Sequence, residues 1–225
     1  MKHPVLLSAL LGVLLNLGLM LLPSVLLGVP RLVLVDRCLA TFLLLISVWV
    51  ILEAVASSDR MYIQGQPIQA RWLPYFMSAV MLLGFLIALT EHTLNGSTSF
   101  TIFAAIGSVA MGVGMLLRYL AIRALGPYFL DEVIVVSGQP IVTRGIYNRL
   151  RHPSEAGNLC IAFGSSLLLA SLIGLVIGLF LLLPIVLIRI RLEDRLLMRH
   201  DPNRFTAYAR DVPALFPRFS TGTNE

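Results

Sequence analysis

Charge is what this sequence has least of. Asp, Glu, Lys and Arg together supply 13% of the 225 residues, and Lys2 is the one lysine beside 16 arginines. A soluble domain of this length needs more charge than that to cover its surface, so composition excludes one. Cysteine is scarce as well. Cys38 and Cys160 both fall in apolar runs, where they read as packing residues and carry no information on redox compartment. No internal repeat or low-complexity tract interrupts the chain, and only residues 220–225 read as a disordered tail.

What is abundant is apolar sequence: 57% of residues are hydrophobic, the balance of an integral membrane protein. A helix crosses a bilayer core of ~30 Å with about 20 mostly apolar residues. Segments 5–29, 38–56, 72–90 and 98–117 meet that requirement. A fifth stretch, 156–188, holds thirty-three residues without one charge. As a single helix it would reach roughly 50 Å, so it reads as a helical hairpin turning near 171–174. The expected fold is an all-α polytopic membrane protein of about six transmembrane helices. A four-helix region (1–125) precedes a loop, a terminal hairpin and a helical tail (126–219). Lys2 before an apolar run imitates a signal peptide, but the run is too long and lacks a small-x-small cleavage site, so it reads as a retained helix.

The arginines orient this bundle. Twelve of the 16 follow residue 117, in the loop between helices four and five and in the tail, while the turns 91–97 and 171–174 have no Lys or Arg. The positive-inside rule places the arginine-rich end in the cytoplasm. Arg31 and Arg37 run against that trend.

Two polar clusters flank the uncharged stretch. The first contains Tyr147, Arg149, Arg151-His152-Pro153-Ser154-Glu155 and Gly157; the second contains Arg189, Arg191, Glu193-Asp194-Arg195, then Phe205, Tyr208 and Val212-Pro213. The bland reading makes Arg118, Arg123, Arg149 and Arg195 interfacial anchors, with Tyr62, Trp72 and Tyr75 as belt aromatics. Glu53 and Glu91 read as interfacial groups near helix ends, and Gly174-x-x-x-Gly178 as a close-packing signature between the hairpin helices. The clusters resist that reading. Pro153 suits the first turn of a helix, whose free backbone donors favour an anion. Arg189 and Glu193, four residues apart on one helix face, return to the same membrane level. An ion cluster at a membrane edge is a functional-site hypothesis.

The ordered pattern T-x-G-x-Y-x-x-x-R-H-P-S-x-x-G, a hairpin, R-x-x-x-E, and aromatic-x-x-Y-x-x-x-V-P-x-x-x-P resembles the isoprenylcysteine carboxyl methyltransferase family over residues 138–219. The resemblance implies a polytopic enzyme using S-adenosylmethionine, with loop, hairpin and tail closing over the cofactor on the cytosolic side. It implies that Tyr147, His152, Pro153, Gly157, Glu193 and Tyr208 form the cofactor pocket, and that Arg151 and Arg189 hold the acceptor's carboxylate. No metal is implied. The partners it implies are a lipid-like or prenylated acceptor and membrane lipids, with no nucleic acid.

Three positions depart from the family pattern. Glu155 replaces an aromatic, Ser166 replaces the Gln of eukaryotic members, and Asp201-Pro202 replaces Phe-Gly while still capping a helix well. Glu155 bears on the acceptor. A carboxylate acceptor needs no base, whereas a hydroxyl, phenol, thiol or ammonium must lose a proton, which Glu155 could accept with His152 beside it. The competing role for Glu155 is to cap the first turn and pair with an arginine. The alternatives to a methyltransferase are an NADPH-dependent membrane reductase of the sterol-reductase type and a non-enzymatic transporter or scaffold.

Overall fold

The computed structural model describes residues 3–28, 36–56, 70–96, 99–130, 132–134 and 139–216. Tyr62 and the tail 220–225 lie outside them. The described residues form α1 (His3–Leu26), α2 (Arg37–Ala56), α3 (Trp72–Asn95), α4 (Ile102–Leu125), α5 (Pro153–Leu168), α6 (Leu172–His200) and α7 (Pro202–Asp211). Short 3-10 turns occupy Gly126–Tyr128 and Gly145–Asn148.

Four helices among the described residues are long and apolar enough to cross a membrane, against the six expected: α2, α3, α4 with its following turn, and α6. α1 is itself 24 residues long, enough to cross a bilayer core. The shortfall at α5 has a clear cause. Its 16 residues span roughly 24 Å, and 13 of the 16 are buried, including Ser154, Glu155, Asn158, Ser165 and Ser166. A helix wrapped by protein on all sides need not match a bilayer. The lipid-facing load falls on its neighbours, which expose residues such as Leu44, Val109 and Phe180.

The hairpin between α5 and α6 exists, but it turns at Leu169 and Ala170, earlier than expected, and Gly174 is helical. Ala170 takes φ 50°, and the Ser171 hydroxyl accepts from Gly174 N at 2.9 Å to start α6. Glu91 of α3 reinforces that start, accepting from the Ser171 hydroxyl at 2.7 Å and from Ile173 N at 3.1 Å. It thereby caps another helix. Nearby, Asp36 caps α2 and meets His92 Nε2 at 2.7 Å, with both residues buried. Gly174 and Gly178 face Ser166 and Phe163 of α5, as the close-packing signature requires. Pro184 cannot donate to the carbonyl four residues back, and α6 winds into a wider π turn over Gly178–Leu182 just before it.

The tightest crossing is α4 on α5. A Cβ on Gly107 would stand 2.5 Å from Gly164 O, and one on Gly157 would stand 2.6 Å from Gly114 O. Two glycines seven apart on each antiparallel helix let the backbones touch. That contact brings Arg118 of α4 over the first turn of α5.

Candidate active site

Helix α5 begins at Pro153 with His152 at its cap, and the hairpin returns α6 to this level with Arg189, Glu193 and Asp194. The tail completes the end of the bundle. Arg151 N and His152 N donate to Pro213 O and Ala214 O at 2.9 and 3.0 Å, so residues after α7 strap the loop. α7 itself starts on Asp201, whose carboxylate accepts from Arg204 N at 3.1 Å. It buries Phe205 and Tyr208 beside Ile141, and the Tyr208 hydroxyl donates to Tyr147 O at 2.6 Å.

These elements and the first three helices line a cavity of about 750 Å³. Tyr147, Arg151, His152, Glu155, Arg189, Glu193 and Tyr208, seven of the nine site residues expected from sequence, line it. Pro153 and Gly157 do not; Pro153 starts α5, and Gly157 lies in the crossing with α4.

Inside the cavity wall the charges form a chain. Arg118 grips Glu53 of α2 with two bonds, Nε to Oε2 at 2.7 Å and Nη2 to Oε1 at 2.8 Å. Its Nη1 reaches the Ser154 hydroxyl at 2.9 Å and Asn158 Oδ1 at 3.2 Å. Asn158 passes the contact to Glu155 at 3.4 Å, and Glu155 pairs with Arg189 Nε at 3.1 Å. Arg189 Nε also lies 2.8 Å from Glu193, the pair that four-residue spacing demands. His152 stands between Glu193 (3.2 Å) and Asp194 (2.9 Å), and Arg151 closes the chain on Asp194 at 2.9 Å. Four cationic groups thus meet four carboxylates, which holds each side chain in one geometry at the cost of desolvating them all.

Two sequence expectations change here. His152 and Glu155 do not pair; both ring nitrogens of His152 are taken by α6 carboxylates. Glu53 and Arg118, read as interfacial, form a pair on the cavity wall. Asp194, Asn158 and Ser154 were not singled out. A carboxylate within the apolar run 38–56 was the available signal for Glu53.

Burial works against a charge on His152, but hydrogen bonds to Asp194 and Glu193 outweigh it and push its pKa up to about 9. His152 is therefore an imidazolium at neutral pH, a fixed cation and not a base. The phenols of Tyr147 and Tyr208 are pushed up, chiefly by burial, and remain donors. Because the folded pKa of His152 exceeds its ordinary value, its stabilisation is complete below about pH 6.5 and is lost as pH rises through about 9. The amount is on the order of 3 kcal/mol. The thermal midpoint of detergent-purified protein is thus expected to fall across that window, and His152→Gln to flatten the decline. Parallel wild-type and variant profiles would show that His152 does not carry the charge.

Residues 106–199 match the isoprenylcysteine carboxyl methyltransferase (ICMT) family. The match carries Arg118, the whole first cluster and Arg189, Glu193 and Asp194. This ICMT region starts earlier than the sequence resemblance, taking in most of α4, and stops before α7. No curated protein matches the chain. An ICMT region built on long apolar helices supports a membrane methyltransferase.

Proposed function

We propose that the protein is an S-adenosylmethionine-dependent methyltransferase that modifies an apolar, lipid-like acceptor at the cytoplasmic face of a membrane. The observation that carries this reading is the cavity of about 750 Å³, whose walls combine the ion chain with Met20, Met77, Met81 and Phe85 of the first three helices. Two substrates of opposite polarity need such a site, one arriving from water and one sideways from lipid. The clustering of arginines at this end supports the cytoplasmic orientation.

The cavity fits the cofactor. Its volume lies within the ~300–1,000 Å³ typical of small-molecule sites. S-Adenosylmethionine supplies a methyl group on a sulfonium, and it also bears an ammonium and a carboxylate. Glu193 and Tyr147 would face the cationic part. Arg151 would hold the carboxylate, since its Nε is buried with no hydrogen-bond partner while Nη1 is on Asp194. That moves Arg151 from the acceptor to the cofactor. Alignment and exclusion of water supply most of the catalysis, because an in-line displacement leaves the protein little covalent chemistry.

Glu155 supplies the remaining step. As the acceptor's oxygen bonds the methyl carbon, the carbon–sulfur bond would break and the thioether would leave, while the acceptor's proton would pass to the Glu155 carboxylate on the cavity wall. Pairing with Arg189 and Asn158 orients that carboxylate. Glu155→Gln keeps the shape and removes the base, so turnover should fall roughly 100-fold at neutral pH. It should recover partly as pH rises and the acceptor ionises unaided. A pH–rate profile parallel to that of wild type would return Glu155 to a purely structural role. The wider reading is tested by calorimetry on detergent-purified protein: S-adenosylhomocysteine is expected to bind and NADPH not to. Binding of NADPH alone would favour a reductase, and binding of neither would remove both enzymatic readings.

A further inference from the structure

Glu53 is a carboxylate on an apolar helix, outside the ICMT region, and its partner is a guanidinium on the wall of the cavity. The two-bond, side-on grip is the geometry in which arginine takes a ligand carboxylate. The rest of Arg118 is equally committed: Nη1 serves Ser154 and Asn158, and its guanidinium lies 5.8 Å over the Phe129 ring. An incoming carboxylate would have to displace Glu53, and the displaced charge would stay in a wall that is only partly wet. One turn earlier on the same face of α2 stands Trp49, also on the cavity. Its ring packs edge-on against Phe85 at 6.3 Å, and its Nε1–H is buried with no hydrogen-bond partner. A buried donor left without a partner is costly, and a bound acceptor oxygen would recover that cost.

We propose that α2 selects the methyl acceptor. Glu53 holds, as a built-in carboxylate, the place on Arg118 that an acceptor carboxylate would take, and Trp49 Nε1–H donates to the oxygen of an uncharged one. The acceptor is then an apolar molecule bearing a hydroxyl or phenol, and carboxylic acids are rejected. The inference rests on the methyltransferase reading for the word acceptor, but the selectivity it assigns is a binding property that can be measured without turnover.

Dodecylphenol and dodecylbenzoic acid share an apolar body and differ in the group that α2 would read. Binding is followed in Trp72→Phe protein, whose remaining tryptophan is Trp49, through its fluorescence, with S-adenosylhomocysteine affinity measured alongside. The reference protein is expected to bind the phenol at least about tenfold more tightly than the acid at pH 8, where the acid is ionised. Adding Glu53→Gln should raise affinity for the acid about tenfold or more and leave cofactor affinity in place. Trp49→Phe, followed by calorimetry, should weaken the phenol about tenfold. Where Glu53→Gln is too unstable to titrate, the acid should raise its thermal midpoint and the phenol should not, because the acid replaces the missing carboxylate. Equal binding of acid and phenol by the reference protein, no binding of the phenol, or no gain for the acid on Glu53→Gln by either readout would each overturn the proposal. Loss of S-adenosylhomocysteine binding in the reference protein would instead strike the methyltransferase reading, and the phenol and acid titrations would still decide the selectivity.

Discussion

Gly157→Ala is expected to leave little folded protein, although it adds one methyl group. The new carbon would lie 2.6 Å from Gly114 O, 3.2 Å from Arg118 N and 3.3 Å from Arg118 Cβ. Two of those atoms are backbone, so no rotamer change relieves the clash and the helices must separate. Overpacking of a core typically costs about 1–3 kcal/mol and more where backbones must move. Separation also breaks what the crossing positions, because Arg118 reaches Ser154 and Asn158 only from this distance. The thermal midpoint should fall sharply, and cofactor binding should vanish with it. Gly112→Ala, on the facing helix α4, is the control. Nothing lies within 4 Å of its added carbon, and Ala is favoured over Gly in a helix by roughly 1 kcal/mol, so stability should hold or rise. A Gly157→Ala protein with normal stability and impaired cofactor binding would place this glycine in the cofactor pocket after all.

Gly157 also shows why part of the site was illegible. A glycine near a polar cluster suits a cofactor pocket and a helix crossing equally well, and only the partner helix decides between them. Here the partner carries Gly107 and Gly114 at matching intervals, a pattern visible only once α4 is laid against α5. Local spacing did better. Arg189 and Glu193 meet because four residues make one turn, Pro153 opens α5 because its missing N–H costs nothing there, and Asp201 caps α7 for the reason its side chain predicts. Pairing across the chain was beyond reach: Glu53 and Arg118 are 65 residues apart. So was the span count. Thirty-three uncharged residues look the same whether they face lipid or protein, and the serines, glycines and Asn158 of α5 gained meaning only when found buried.

The ion chain has a consequence for its most central member. Arg189 is 7% exposed and lies between two carboxylates from different helices, Glu155 at 3.1 Å and Glu193 at 2.8 Å. Without a cation there, the two would repel across the cavity wall, and Glu193 would lose its hold on His152. Arg189→Lys keeps the charge and distinguishes the roles. An interfacial anchor needs only a long stem and a charged head, which Lys provides. A planar fork that orients two carboxylates at once needs donors set at fixed angles, which a single ammonium does not offer.

Lys at this position is therefore expected to preserve expression and binding of S-adenosylhomocysteine, since His152, Arg151 and Tyr208 hold their places through Asp194 and the tail strap. Turnover should drop about 100-fold or more, the scale of losing one preorganised electrostatic contact. The loss should appear in kcat more than in KM, because Glu155 remains present but misdirected. Transfer of an isotopically labelled methyl group into lipid extract, read by mass spectrometry, measures the first quantity, and calorimetry the second. Wild-type turnover in Arg189→Lys would make Arg189 an anchor and detach Glu155 from the chemistry. A variant that instead lost cofactor binding with turnover would move Arg189 to the cofactor side of the cavity.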